Sequence, residues 1–316
     1  MKEGEERWIE FEACTVDDDE KETNFDLFGD PDPYEEFSFH FKVPKGITNL
    51  QDESESNNKN EVTDEKVSGS ENNDYEDVDT EKCEEETREI SISIKGFKHE
   101  HERIFDSTGL TLWRASKLLC NYMCSNPDCV EKKRVLEIGA GLGLCGLLAY
   151  HLRASSVVMT DGDTDVLAEM RYNVDQNFMS EMEKMKLETV GTNTASLKKP
   201  SDIIIPCRQL LWGKKYIESF KRSIAKNMND HDGSFDVIIA SDVIYVDYIL
   251  DDLFDTIIGM LSPLQDSRFI LAYARRAVDI NLVFKCATKH GLIWTAPDET
   301  EGVYIFSRAE QESRID

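Results

Sequence analysis

The sequence predicts an α/β protein: a Rossmann-like, seven-stranded, mostly parallel sheet with an antiparallel last strand and helices on both faces, preceded by a short β-hairpin-like N-terminal extension. Three observations carry this. From residue 106 onward, short apolar runs alternate with segments of helical spacing, the pattern of βαβ units. A glycine-rich turn, Gly139-Ala140-Gly141-Leu142-Gly143, directly follows one such run. The last two runs have no helix between them and can pair antiparallel.

In chain order, Glu36 to Val43 alternates strictly, with Phe37, Phe39, Phe41 and Val43 on one face, and Ile90, Ile92 and Ile94 do the same. These two strands are expected to pair as a hairpin with the segment between them looped out. Trp8, Ile9 and Phe11 suggest a further short strand. A helix is expected from Leu112 to Met123, then a strand over Arg134–Ile138, the glycine turn, and a helix from Leu144 to Arg153. Strands follow over 156–160 and 202–207, the first of them leading into a helix over 165–177. The run Phe235–Ala240 is apolar on both faces, as a central parallel strand must be. A helix over 247–261, a strand over 268–273 and a helix over 277–290 precede the closing strands at 292–295 and 302–307.

Composition divides the chain. Residues 1–90 carry 31 Asp and Glu against 9 Lys and Arg, a net −22 of the total −27, which leaves −5 for the rest. Residues 47–88 are rich in Glu, Asp, Asn and Ser and poor in large apolar side chains, so they cannot bury enough surface to offset ordering and read as an acidic disordered linker. The organisation is therefore 1–46, an extension with short strands; 47–88, the linker; 89–308, the α/β domain; and 309–316, a C-terminal tail.

Neither part has the basic surface of a nucleic-acid-binding protein. The acidic extension serves solubility or attracts a basic partner. No run reaches the ~18 apolar residues of a membrane span, and the acidic start lacks a leader's pattern. The expected setting is cytoplasmic or nuclear, with a monomer as default. The eight cysteines are scattered, consistent with reduced thiols. Cys120, Cys124 and Cys129 cluster, but without Cys-x-x-Cys spacing or a nearby fourth ligand, so no metal is expected.

The glycine turn lies where open α/β sheets bind ligands. Glycines there admit positive φ and let a ligand approach the backbone. The run Gly141-x-Gly-x-x-Gly146 fits a dinucleotide fingerprint, and Asp161, about 20 residues on, is placed to bind ribose hydroxyls. Charge separates the candidates. Glu137, two residues before the first glycine, would repel a pyrophosphate and attract an ammonium or sulfonium, which favours S-adenosylmethionine.

Five segments in order extend this reading. They are Thr108-Gly109-Leu110-Thr111-Leu112-Trp113, Leu136-Glu137-Ile138-Gly139-Ala140-Gly141-Leu142-Gly143, Thr160-Asp161, Leu210-Leu211-Trp212-Gly213 and Ala240-Ser241-Asp242-Val243-Ile244-Tyr245. Together they resemble family sixteen of the seven-strand, S-adenosylmethionine-dependent methyltransferases, which contains many protein lysine methyltransferases. The resemblance covers residues 90–308. It implies that Trp113, Glu137, Gly139, Ala140, Gly141 and Gly143 line the cofactor pocket and that Asp161 holds the ribose. It also implies that Trp212 packs beside the adenine, that Ser241 contacts the cofactor through its backbone, and that Asp242 and Tyr245 form the acidic-x-x-aromatic motif of the active site. Arg114 departs from the family's usual proline or acid, and residues 178–201 have no family counterpart.

Tyr273, Arg275 and Arg276 end the fifth core strand at the same edge and are candidates for substrate contact. The expected activity is methylation of a protein substrate, a lysine side chain foremost. The alternatives are RNA methylation and a catalytically silent cofactor-binding interaction module. The first lacks an Asn-Pro-Pro-Tyr-like run at the fourth strand, and the second is opposed by the intact acidic and glycine positions.

Overall fold

The computed structural model describes residues 34–44, 87–98, 108–188, 205–227, 232–274, 278–297 and 300–309. The proposed strand around Trp8, most of the acidic linker, Arg275, Arg276 and residues 310–316 of the C-terminal tail lie outside them.

Two strands, β1 (Tyr34–Pro44) and β2 (Thr87–Phe97), form an antiparallel ribbon in the register expected from their alternation, with Phe39 opposite Ile92 and Phe41 opposite Ile90. Thr87 and Arg88, assigned to the linker by composition, belong to β2, since alternation with Ile90 extends the ladder to Pro44. One face of the ribbon is buried: Phe39, Phe41, Val43, Ile90, Ile92 and Ile94 join the core.

The main sheet comprises β3 (Arg134–Ile138), β4 (Ser156–Asp161), β5 (Cys207–Gln209), β6 (Val237–Ser241), β7 (Arg268–Ala272), β8 (Leu292–Thr295) and β9 (Val303–Arg308). Their order is β5-β4-β3-β6-β7-β9-β8. The first five are parallel, and β9 runs antiparallel between β7 and β8. The order reverses between β3 and β6, so the crevice of an open α/β sheet falls between their carboxyl ends.

Strand parity builds two cores. Val135, Val157, Met159, Val237 and Ile239 face one side, where α1 (Arg114–Ser125), α2 (Leu144–His151), α3 (Thr164–Glu188) and the ribbon cover them. Leu136, Ile138, Val158, Ile238 and Ala240 face the other, under α4 (Lys214–Asn227), α5 (Leu250–Met260) and α6 (Ile280–Lys289).

The ribbon is fastened through α3. Asn173 and Asn177, one helical turn apart, are buried at 1% and 7% exposure. Asn173 accepts from the Lys95 N–H at 2.8 Å and donates to the Lys95 carbonyl at 3.0 Å. Asn177 accepts from the Ser93 N–H at 3.0 Å and donates to the Ser93 carbonyl at 2.7 Å. Each amide thus does for β2 what a neighbouring strand would do, covering an edge that would otherwise be buried without partners.

Three local expectations are corrected. The strand expected at 202–207 is β5, displaced to Cys207–Gln209; Pro206 cannot donate to a ladder, and only its carbonyl joins in, accepting from the Met159 N–H at 3.0 Å. The helix expected to end at residue 177 runs on to Glu188. An unforeseen helix, α4, buries Ile217, Phe220 and Ile224, which share one helical face. No helix among the described residues is long and apolar enough to cross a membrane.

Candidate active site

At the carboxyl end of β3 the chain turns through three left-handed glycines, Gly139 (φ 62°), Gly141 (φ 55°) and Gly143 (φ 91°). A side chain is excluded at the first two for separate reasons. A Cβ on Gly139 would lie 2.6 Å from Val243 Cγ1, because the loop after β6 crosses directly against the turn, and Trp212 Cζ2 would be 3.8 Å away. A Cβ on Gly141 would lie 3.1 Å from the Gly109 carbonyl oxygen, because the segment before α1 lies over the turn. Trp113, which ends that segment, donates from Nε1 to the Thr108 carbonyl at 2.7 Å and stands at the N-cap of α1. Four pieces of chain, from β3, β5, β6 and the entry to α1, therefore meet at the crevice.

Asp161 closes β4 on the α1–α3 side. Its Oδ2 accepts from the Gly141 N–H at 3.1 Å and its Oδ1 from the Asp163 N–H at 3.1 Å. Burial raises its pKa against the pull of these N–H groups. Glu137 has the parity of Val135 and so points beneath α2. At 1% exposure, its Oε2 accepts from the Gly146 N–H at 2.8 Å. Burial, with Asp161 adding to it, pushes this carboxyl up to about 8. The charge argument had turned Glu137 toward the ligand; its carboxyl instead braces the first turn of α2 from below. Burial holds both carboxyls toward their neutral forms, and a cation bound beside them would favour their ionised forms.

Across the crevice, Ser241 ends β6 and Asp242 follows with φ 55°, one of three non-glycine residues in the left-handed region among the described residues. That conformation is costly for a side chain and clusters at functional sites. Asp242 donates its N–H to the Ala272 carbonyl at 3.1 Å, and its Oδ2 accepts from the Ala115 N–H at 3.1 Å. The carboxylate thereby caps α1, not the helix after its own strand. Tyr245 is 57% exposed, and burial of its hydroxyl end, Tyr248 and Asp161 raise its pKa, which puts it in electrostatic reach of the ribose candidate. Tyr248 beside it is 80% exposed.

The profile of the lysine methyltransferase family matches residues 97–290. The chain belongs to this family. It is 32% identical over 138 residues to the protein N-terminal and lysine N-methyltransferase EFM7 of Kluyveromyces lactis, covering 43% of this chain and 47% of that protein. It is 32% identical over 147 residues to the protein of the same name from Yarrowia lipolytica, covering 43% and 46%. It is also 25% identical over 194 residues to the calmodulin-lysine N-methyltransferase of Arabidopsis thaliana, covering 61% and 54%. The chain spans about half the length of these curated relatives.

Within the family's fold, most of the described residues singled out from the sequence gather at one crevice, while Glu137 lies beneath α2. Gly139, Ala140, Gly141 and Gly143 form the turn, Asp161 and Trp212 flank it, and Ser241, Asp242 and Tyr245 face it across the switch between β3 and β6. Tyr273 stands apart: it is 6% exposed, with its hydroxyl donating to the Val278 carbonyl, so its ring is part of the α4–α6 core and not of the mouth. Sequence reasoning missed Gly109 and Ala115, which act through backbone atoms. Gly109 lay in a quoted motif, but nothing in the sequence marks the Ala115 N–H.

Proposed function

We propose that the chain is an S-adenosylmethionine-dependent methyltransferase whose acceptor is an amine on a protein, a lysine side chain foremost. The observation that carries this reading is Asp242, held in a left-handed conformation at the lip of the glycine turn, with Tyr245 three residues on. Family membership supports the donor and the acceptor class. The names of these relatives, which refer to lysine or to a protein N-terminus, agree on an amine.

S-adenosylmethionine supplies a methyl group made electrophilic by its sulfonium. Asp161 would bind the ribose hydroxyls, and the left-handed glycines admit the donor's methionine end without a Cβ in its way. Trp113, Trp212 and the Ser241 backbone would complete the pocket, with Glu137 stiffening the turn from beneath. The acceptor amine must arrive without its extra proton, since an ammonium has no lone pair. Asp242 would then attract the positive charge that develops on nitrogen, and Tyr245 would offer its ring face to the same charge. Aligning the amine and excluding water would supply much of the rate.

The test is calorimetric titration with S-adenosylhomocysteine, with NADH and NADPH in parallel, followed by transfer of tritiated methyl groups into cell extract. Binding of the homocysteine compound and protease-sensitive, nuclease-resistant label are expected. Nicotinamide binding alone, or label lost only to nuclease, would overturn the assignment.

A further inference from the structure

Outside the crevice, two helices bring three metal-ligating side chains together, with a fourth, Asp255, beside the histidine among them. On α5, Asp251 and Asp255 are one turn apart. Cys286 on α6 and His290 at its C-cap are also one turn apart. Residues at this spacing share a helix face, so two such pairs on touching helices converge. One ligand atom each from Asp251, Cys286 and His290 lies within 4.8 Å of the others. His290 Nε2 is 3.2 Å from Asp255 Oδ1 and 3.8 Å from Asp251 Oδ1. Cys286 Sγ is 3.5 Å from the same Asp251 oxygen. Metal–ligand bonds of about 2.0–2.3 Å at tetrahedral angles separate neighbouring ligand atoms by roughly 3.3–3.8 Å, and these distances match that spacing.

The histidine supplies an independent argument. Its Nδ1 lies 2.8 Å from the Cys286 carbonyl, which can only accept, so Nδ1 carries a hydrogen. In the neutral ring Nε2 then presents a lone pair, aimed at two carboxylate oxygens. That arrangement is repulsive unless cations offset it: a proton on the ring, a metal, or the lysines already paired with the carboxylates, Lys289 with Asp251 and Lys214 with Asp255 at 3.4 Å. A carbonyl that fixes the tautomer of a ligating histidine is the usual second partner in a metal site. The cluster is also partly closed: the side chains of His290 and Asp255 are only 12% and 17% exposed, while Asp251 is open at 59%.

We propose that Asp251, Asp255, Cys286 and His290 form a structural zinc site. One thiolate, one imidazole and two carboxylates suit a borderline ion such as Zn2+ better than Mg2+ or Ca2+. Lys289 Nζ, 2.6 Å from Asp251 Oδ1, holds part of the place the ion would take and swings into solvent when it binds. The ion would pin the first turn of α5, which begins five residues after Tyr245, to the end of α6. It would thereby stiffen the lip that carries Asp242 and Tyr245.

The experiment uses the full chain, stripped with chelator and kept in a thiol-free reductant, titrated with Co2+ as a spectroscopic stand-in. Visible bands of four-coordinate Co2+ with a near-ultraviolet thiolate band are expected, both erased by one equivalent of Zn2+. Cys286→Ala should lose the thiolate band, and His290→Gln should weaken binding by at least about tenfold. Asp251→Ala, at an exposed position, leaves the fold intact. Zn2+ should raise the melting temperature of the native chain but not of this variant. A thiolate band that survives in Cys286→Ala, the absence of tetrahedral bands, or equal Zn2+ stabilisation of native chain and Asp251→Ala would each overturn the site.

Discussion

The Oδ2 atom of Asp242 and the N–H of Ala115 meet at 3.1 Å across a sequence separation of 127 residues. The end of β6 and the start of α1 are thereby one unit, and the conformation of the acidic residue at the crevice depends on a helix whose entry segment also lies over the glycine turn.

Asp242→Asn separates the fold from the chemistry. Asparagine tolerates the left-handed region and offers an oxygen to the Ala115 N–H, so the melting temperature should barely change. With the charge gone, turnover should fall roughly 10²-fold while donor affinity is retained. Steady-state kinetics beside a donor titration would check this; unchanged turnover would remove Asp242 from the active site.

Asp161→Ala should abolish measurable binding of S-adenosylhomocysteine, because the variant loses both the ribose contact and the Gly141 N–H that Oδ2 holds in place. Calorimetry on the purified variant, with circular dichroism to show that it is folded, decides the matter.

Gly141→Ala combines an unfavourable φ of 55° with a Cβ 3.1 Å from the Gly109 oxygen. Strain of about 1–2 kcal/mol is expected, and since the crowding falls where the donor sits, its affinity should drop by about tenfold or more. A variant binding as tightly as the native chain would show that this part of the turn does not approach the donor.

Glu137 predicts a pH dependence. Its carboxyl ionises near 8 in the folded chain against 4.5 when exposed, because burial disfavours the charge. The folded chain therefore keeps a proton that the unfolded chain has already released. The stability this group contributes is complete below about pH 4.5 and is lost as pH rises through about 8. Glu137→Gln should flatten that decline in urea unfolding. It should also remove the rise in affinity for the cationic donor expected of the native chain as pH approaches 8.

Asn173→Leu removes the bonds to both backbone groups of Lys95 and to the Leu142 carbonyl. The stranded buried groups should cost about 1–3 kcal/mol. Hydrogen exchange should quicken in β2 while β3 and β6 stay protected.

Parity made much of this legible. The alternation of Phe37 to Val43 and of Ile90 to Ile94 specified the ribbon and its register, and unbroken apolar runs identified the central strands. The same parity, applied to Glu137, places it with Val135 beneath α2, where an argument from charge alone had put it before the ligand. Helix α4 was also written in Ile217, Phe220 and Ile224, but five flanking lysines and arginines disguise that stripe as a polar stretch. Strand β5, only three residues long after a proline, is too short to alternate. The left-handed φ of Asp242 and the grip of Ala115 on it are backbone facts without a side-chain signature. The pairing of Asp251 and Asp255 with Cys286 and His290 depends on how two helices cross.

Pro44 and Thr87 are register partners at the open end of the ribbon. The chain therefore leaves the described ribbon at Pro44 and re-enters it beside that point at Thr87. Because the closure penalty grows by only about 0.6 kcal/mol for each doubling of a connection's length, a connection between these two residues can vary widely in length at little cost to the ribbon. Its growth or loss over generations would leave the crevice untouched, and a linker of a few glycines should substitute for it. The ribbon is thus a docking port through which a whole module can be gained, exchanged or trimmed without renegotiating the core.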